Sequence, residues 1–199
     1  MTMFKPALMI VSASALALAA CGQKTSDTAV ANDSATFDAG NAGVADTNST
    51  AMATPAAVTG SQAFVNMAAA SDAFEITTSK LALDNGASAA VKKYANQMIS
   101  AHTASTDKLK ATTASLSPAL TPDPTLSAAQ QATVDSLKGL KGAAFDTAYI
   151  QAQQAAHQQT LDTLKGYAAT GDVAALKTFA TGLVPTVAAH LNMAKGLKA

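Results

Sequence analysis

No arginine and no tryptophan occur in the 199-residue chain, and glutamate and cysteine occur once each, at Glu75 and Cys21. Without guanidinium groups there is no planar donor fork for phosphates or bases, and 13 Lys balance 13 acidic residues, so nucleic acid is excluded as a partner. A single cysteine allows no internal disulfide. No second carboxylate is expected near the lone glutamate for general acid–base work, and neither a Gly-rich phosphate loop nor a nucleophile elbow is present, so an enzyme is not the expectation. Aromatic residues are only 5% while hydrophobic residues are 49%, with alanine foremost. The core must therefore be built from small side chains, which let helices approach closely but remove little apolar surface per residue. No strand-like alternation occurs along the chain, which makes the expected fold class all-α.

Met1 to Lys5 is a short basic start, and Ala7 to Ala20 is an apolar run of small residues, too short for a stable membrane span. Leu18-Ala19-Ala20-Cys21 resembles the lipobox of bacterial lipoproteins. That resemblance implies a signal peptide over residues 1–20, lipidation of Cys21, and anchoring of the protein to a membrane. Gly22 in place of an aspartate implies sorting to the outer membrane, facing the periplasm or the cell surface. Acyl chains contribute about 0.8 kcal/mol per buried methylene, so several of them make a lasting anchor. Residues 21–60 are rich in Ala, Thr, Asn, Asp, Ser and Gly without periodicity and read as a disordered tether, with a reach of roughly 35 Å.

The domain is expected over residues 61–199. Helix A runs from Ser61, a candidate N-cap, to about Asn85, with Asn85-Gly86 as a left-handed stop. Its expected inner face is Phe64, Met67, Ala68, Ser71, Glu75, Thr78, Leu81 and Ala82. Ser88 caps helix B, which extends to about Leu116 and carries Val91, Ala95, Met98, His102, Thr106 and Leu109 inward. Pro118 to Pro124 is a loop, and Ser127 opens a short helix that ends near Gly139. Helix C follows Gly142 with Phe145, Tyr149, Ile150, Gln153, His157, Leu161 and Leu164 inside. Asp172 is expected to cap helix D, which carries Leu176, Phe179, Leu183, Val187, His190, Leu191 and Ala194 and contains a kinking Pro185. Asp146 is expected to cap the start of helix C or, as the second choice, to orient Tyr149.

The three histidines and the one glutamate thus fall one per helix, each on an apolar stripe. Glu75, His102, His157 and His190 can converge on one divalent ion in the core, zinc or copper first and iron less specifically. Alternatively they form a buried His/Glu polar network with no metal, in a non-enzymatic envelope interaction or stress-related module. At 1.5 Å per residue, a simple up-down-up-down arrangement leaves His190 out of level with the others. If the segment between helices B and C crosses the length of the bundle, all four residues fall within about 3 Å of one level.

Leu140-Lys141-Gly142-Ala143-Ala144-Phe145-Asp146-Thr147-Ala148-Tyr149 resembles the L-x-G-x-x-F-D-x-x-Y element of a bacterial envelope family, domain of unknown function 4142. Phe74-Glu75-Ile76, Ser79-Lys80-Leu81-Ala82, Met98-Ile99 with His102, then His157, and Leu183 through Pro185 to His190-Leu191 resemble that family's spacing as well. The resemblance covers about Ser61 to Leu197. It implies a ferritin-like antiparallel four-helix bundle with a long B–C crossover containing a short helix, and no established activity. The residues three before the histidines are Ile99, Gln154 and Val187 rather than glutamates, so the di-iron pattern of ferritins is not carried over.

Overall fold

A computed structural model describes residues 60–199. The expected signal segment over residues 1–20, Cys21, and the tether up to residue 59 lie outside the described residues. Among the described residues there are five helices and no strand: α1 (Ser61–Asn85), α2 (Ala89–Ala114), α3 (Ala128–Lys138), α4 (Gly142–Thr170) and α5 (Ala174–Gly196). The most extensive contacts are between α1 and α2 and between α4 and α5. α1 also packs on α4, α2 packs on α5, and α3 lies against α1 and α4. None of these helices is long and apolar enough to cross a membrane.

The helix ends use chemistry that only partly matches expectation. Ser88 accepts from the Val91 amide at 3.5 Å, and Ser127 with Gln130 forms a reciprocal capping box at the start of α3. Ser61, however, is already helical, and the cap before it is Gly60, which has no side chain to give. Asp172 does not cap α5 either, because Tyr167 at the end of α4 donates its hydroxyl to Asp172 Oδ1 at 2.7 Å and holds the carboxylate there. α5 runs through Pro185 without interruption, since neighbouring helices supply the packing that offsets the missing amide.

The link between α1 and α2 is the sharpest correction. Gly86 is extended (φ −70°, ψ 151°), not left-handed. Glycine is needed there for space: a Cβ would lie 2.7 Å from the Ala82 carbonyl oxygen and 2.8 Å from Asp146 Oδ1. Asp146, in the first turns of α4, neither caps its own helix nor orients Tyr149. Its carboxylate accepts from the Ala87 amide at 3.2 Å and the Ser88 amide at 2.8 Å, so it closes the α1–α2 link from outside. Tyr149 is bonded instead to Ser79, at 2.8 Å.

Two apolar clusters make the core. One gathers Phe64, Val65 and Ala69 of α1 with Leu109, Leu161, Leu164, Tyr167, Leu176 and Phe179, and the ring of Phe64 stacks on Tyr167 at 3.9 Å. The other gathers Ala82, Val91, Tyr94, Ala95, Met98, Phe145, Tyr149, Ile150 and Ala194. Along α1 and α5 the first cluster precedes the second, and along α2 and α4 the order is reversed. Between them, on all four long helices, lies a band of buried polar residues: Asp72, Glu75, Thr78 and Ser79 on α1, His102 on α2, Gln153 and His157 on α4, and His190 on α5.

Replacing Asp146 by Ala removes the acceptor for two amides in a tight link and should cost about 1–3 kcal/mol. The melting temperature should fall by several degrees while helical circular dichroism is kept. An unchanged melt would mean that the link holds its shape without the carboxylate.

Candidate metal centre

The polar band is positioned by helix period alone. Glu75 falls one turn after Asp72, and His157 one turn after Gln153, so each pair shares a face. The rings of His102, His157 and His190 form a nearly equilateral triangle, with centroids 5.6, 5.7 and 5.5 Å apart. One ligand nitrogen from each ring lies within 4.8 Å of the other two.

On His102 and His157 the other ring nitrogen is engaged. His157 Nδ1 donates to the Gln153 carbonyl at 2.9 Å, one turn back on its own helix, which leaves Nε2 as the lone-pair nitrogen. His102 Nδ1 contacts Asp72 Oδ1 at 2.8 Å, and Thr106 donates to the other oxygen of Asp72 at 3.2 Å. The buried ring nitrogens left with no protein partner are His102 Nε2, His157 Nε2 and His190 Nδ1.

Of the four residues expected to converge, the structure brings the three histidines together and sets Glu75 behind them. Its Oε1 is 3.5 Å from Nδ1 of His157, the nitrogen turned away from the unpaired one. Both Glu75 oxygens are buried without a hydrogen bond. Asp72 is the residue sequence reasoning missed. It is buried, it pairs with His102, and it supplies the second carboxylate whose absence had been expected. Its one available signal is its position three residues before Glu75, on the same helix face.

Burial governs the charge states. Desolvation raises the Glu75 carboxyl to about 7, opposed by the positive charge of His102. Desolvation likewise lowers His157 to about 3 and His190 to about 4, with the His102 charge adding to both. His102 goes the other way. Burial pulls it down, but the hydrogen bond to Asp72 and the charges of Glu75 and Asp72 outweigh that and raise it. Of the three imidazoles the one paired with Asp72 therefore holds a proton most readily, and the other two are neutral near neutral pH.

These shifts fix how metal-free stability responds to pH. As pH falls below the ordinary histidine value of 6.5, the unfolded chain takes up protons at His157 and His190 that the folded chain refuses until about 3 and 4, so stability is lost on the acid side. On the alkaline side, stability that the folded chain gains by keeping Glu75 protonated is lost as pH rises from 4.5 through about 7, and that of the raised His102 is lost above 6.5. The melting temperature of metal-free protein should accordingly peak between about pH 6 and 7, and a His157→Gln variant should lose part of the acid-side slope. A flat profile between pH 5 and 8 would contradict these charge states.

Compared with curated proteins and with solved structures, the chain finds no match. A family profile does match, over residues 46–197, and it carries the description Domain of unknown function (DUF4142). The matched stretch takes in all five helices, the L-x-G-x-x-F-D-x-x-Y run and the three converging histidines. By that match the chain belongs to the DUF4142 family.

Proposed function

We propose that this protein is a lipid-anchored cell-envelope protein whose helical domain binds one divalent metal ion of the zinc or copper class through His102, His157 and His190. One observation carries the metal: a ring nitrogen of each of three buried histidines lies within 4.8 Å of the other two, and each of these rings has a buried nitrogen without a protein partner. A self-contained polar network would pair such atoms, because each one left unpaired costs about 1–3 kcal/mol. The ring spacing supports the same reading. With a metal–nitrogen bond of about 2.1 Å, three imidazoles spread around one ion have centroids roughly 5.2–5.5 Å apart, close to the spacing here. Neutral imidazole donors suit zinc and copper better than magnesium or calcium, which take oxygen ligands.

Around these ligands Asp72 on His102, and the Gln153 carbonyl with Glu75 on His157, orient rings in the manner of outer-shell partners. A ferritin-like bundle with a crossover between α2 and α4 fits this arrangement. The shared order of the two apolar clusters along α2 and α4 supports it, as does the contact of Asp146, at the start of α4, with the α1–α2 link. The anchor rests on the lipobox-like run ending at Cys21, and places the domain on the envelope side of a membrane.

Chelator-stripped full-length protein should bind one equivalent of zinc or copper. At a hundredfold over the dissociation constant, that adds about 2.7 kcal/mol, or on the order of 10 °C in melting temperature. Binding should release more than one proton at pH 6, because the ion displaces the one on His102 and favours loss of the one on Glu75, and His102→Ala should abolish the rise in melting temperature. If zinc, copper, manganese and iron all leave the melt unmoved, the cluster is a buried polar network. Cys21→Ser should move the protein from the membrane to the soluble fraction, and a wild-type protein that starts elsewhere and stays soluble would overturn the anchor.

A further inference from the structure

A cavity of about 40 Å³ opens beside the three histidines, bounded by all four long helices. His102 and His190 line it and His157 does not. The residual exposure of the rings follows the same division, at 5% and 8% against 1%. The cavity therefore abuts the centre on the side of His102 and His190, whose partnerless ring nitrogens are themselves buried. Ser71 and Thr160, which also line it, are hydrogen-bonded to each other at 2.8 Å. Whichever hydroxyl donates, the pair uses one hydrogen between them and keeps one to donate elsewhere.

Structural zinc sites have four protein ligands, whereas sites with three leave a position for an exogenous ligand. From these features we propose that the ion held by His102, His157 and His190 keeps an open coordination position toward this cavity, and that the position takes a small anion that accepts hydrogen bonds, such as hydroxide or a linear triatomic anion. The proposal rests on the metal reading above. Size sets the class, since a water needs roughly 10–15 Å³ of such space and the cavity admits a ligand of only about three heavy atoms. Charge allows an anion, because a divalent ion on neutral imidazoles attracts one and the Asp72 carboxylate that also lines the cavity is already engaged by His102 and Thr106; the Ser71 and Thr160 hydroxyls on its wall can donate to an acceptor.

Full-length protein loaded with Co(II), whose visible spectrum reports coordination number, tests this by titration with azide. The spectrum should shift saturably in the wild type. Ala101→Val, which fills the cavity from α2 without touching a ligand, should weaken azide binding at least tenfold while cobalt uptake stays at one equivalent. Ser71→Ala should weaken azide binding severalfold. A cobalt-loaded protein whose spectrum ignores azide, or azide affinity equal in the wild type and both variants, would overturn the open position while leaving the metal site standing. Failure to take up cobalt at all would remove the metal site and the open position together.

Discussion

Holding a layer of imidazoles and carboxylates dry between two apolar clusters is the constraint on which the rest of this domain depends. Such groups lose hydration when buried and regain it only through partners. Here partners are supplied unevenly. Asp72, His102 and Thr106 satisfy one another, Gln153 donates to Thr78, and Ser79 meets Tyr149, yet six buried polar atoms, all on Glu75, Gln153 and the three histidines, have none. An apolar layer of the same volume would be more stable. The fold tolerates the cost because aromatic residues anchor both flanking clusters: Phe64, Tyr167 and Phe179 on one side, and Tyr94, Phe145 and Tyr149 on the other.

The small-residue composition serves the same end. Ala69, Ala82, Ala95, Ala180 and Ala194 are buried at helix contacts, where larger side chains would hold the helices apart. Close approach brings three imidazole rings, each projecting from a different helix, to centroid distances under 6 Å. It also makes the site sensitive to register, since one turn of slip along a helix moves a ring by about 5.4 Å. Asp146 and Gly86 matter for this reason: they lock the α1–α2 link, and with it the relative level of Glu75 and His102, to the start of the helix that carries His157.

Much of this was legible from residue spacing. Helix limits followed from Ser88, Ser127 and the glycines and prolines between periodic runs, and the inward positions of α2, α4 and α5 came out buried with few exceptions, Leu183 and Thr106 being half-buried. α1 was read less well. It touches α2, α3 and α4, so its buried surface is wider than one stripe and takes in Val65, Ala69, Asp72 and Ser79, while Met67, Ala68 and Leu81 are only half-buried. Asp72 escaped because an aspartate on a helix is most often solvated, and only its partner on another helix makes burial tolerable. The role of Asp146 escaped for a related reason: its acceptors' donors lie 58 and 59 residues away in the chain, beyond any local motif.

Charge balance joins the histidines to the two carboxylates that stand behind them. A divalent ion on three neutral imidazoles would leave two positive charges in a dry layer, which is unfavourable unless negative charge lies near. Asp72 and Glu75 are the carboxylates beside the rings, each against the nitrogen turned away from its unpaired one. Without the ion, the carboxyl of Glu75 is raised to about 7 and holds a proton through much of the acid range. With an ion bound, its positive charge would favour the carboxylate form of Glu75. In the proposed metal site Glu75 would act through His157 rather than as a ligand, as a charge that adjusts to whether the ion is present. This gives a physical reason for a glutamate, the only one in the chain, to stand buried and unpaired in the middle of an alanine-rich core.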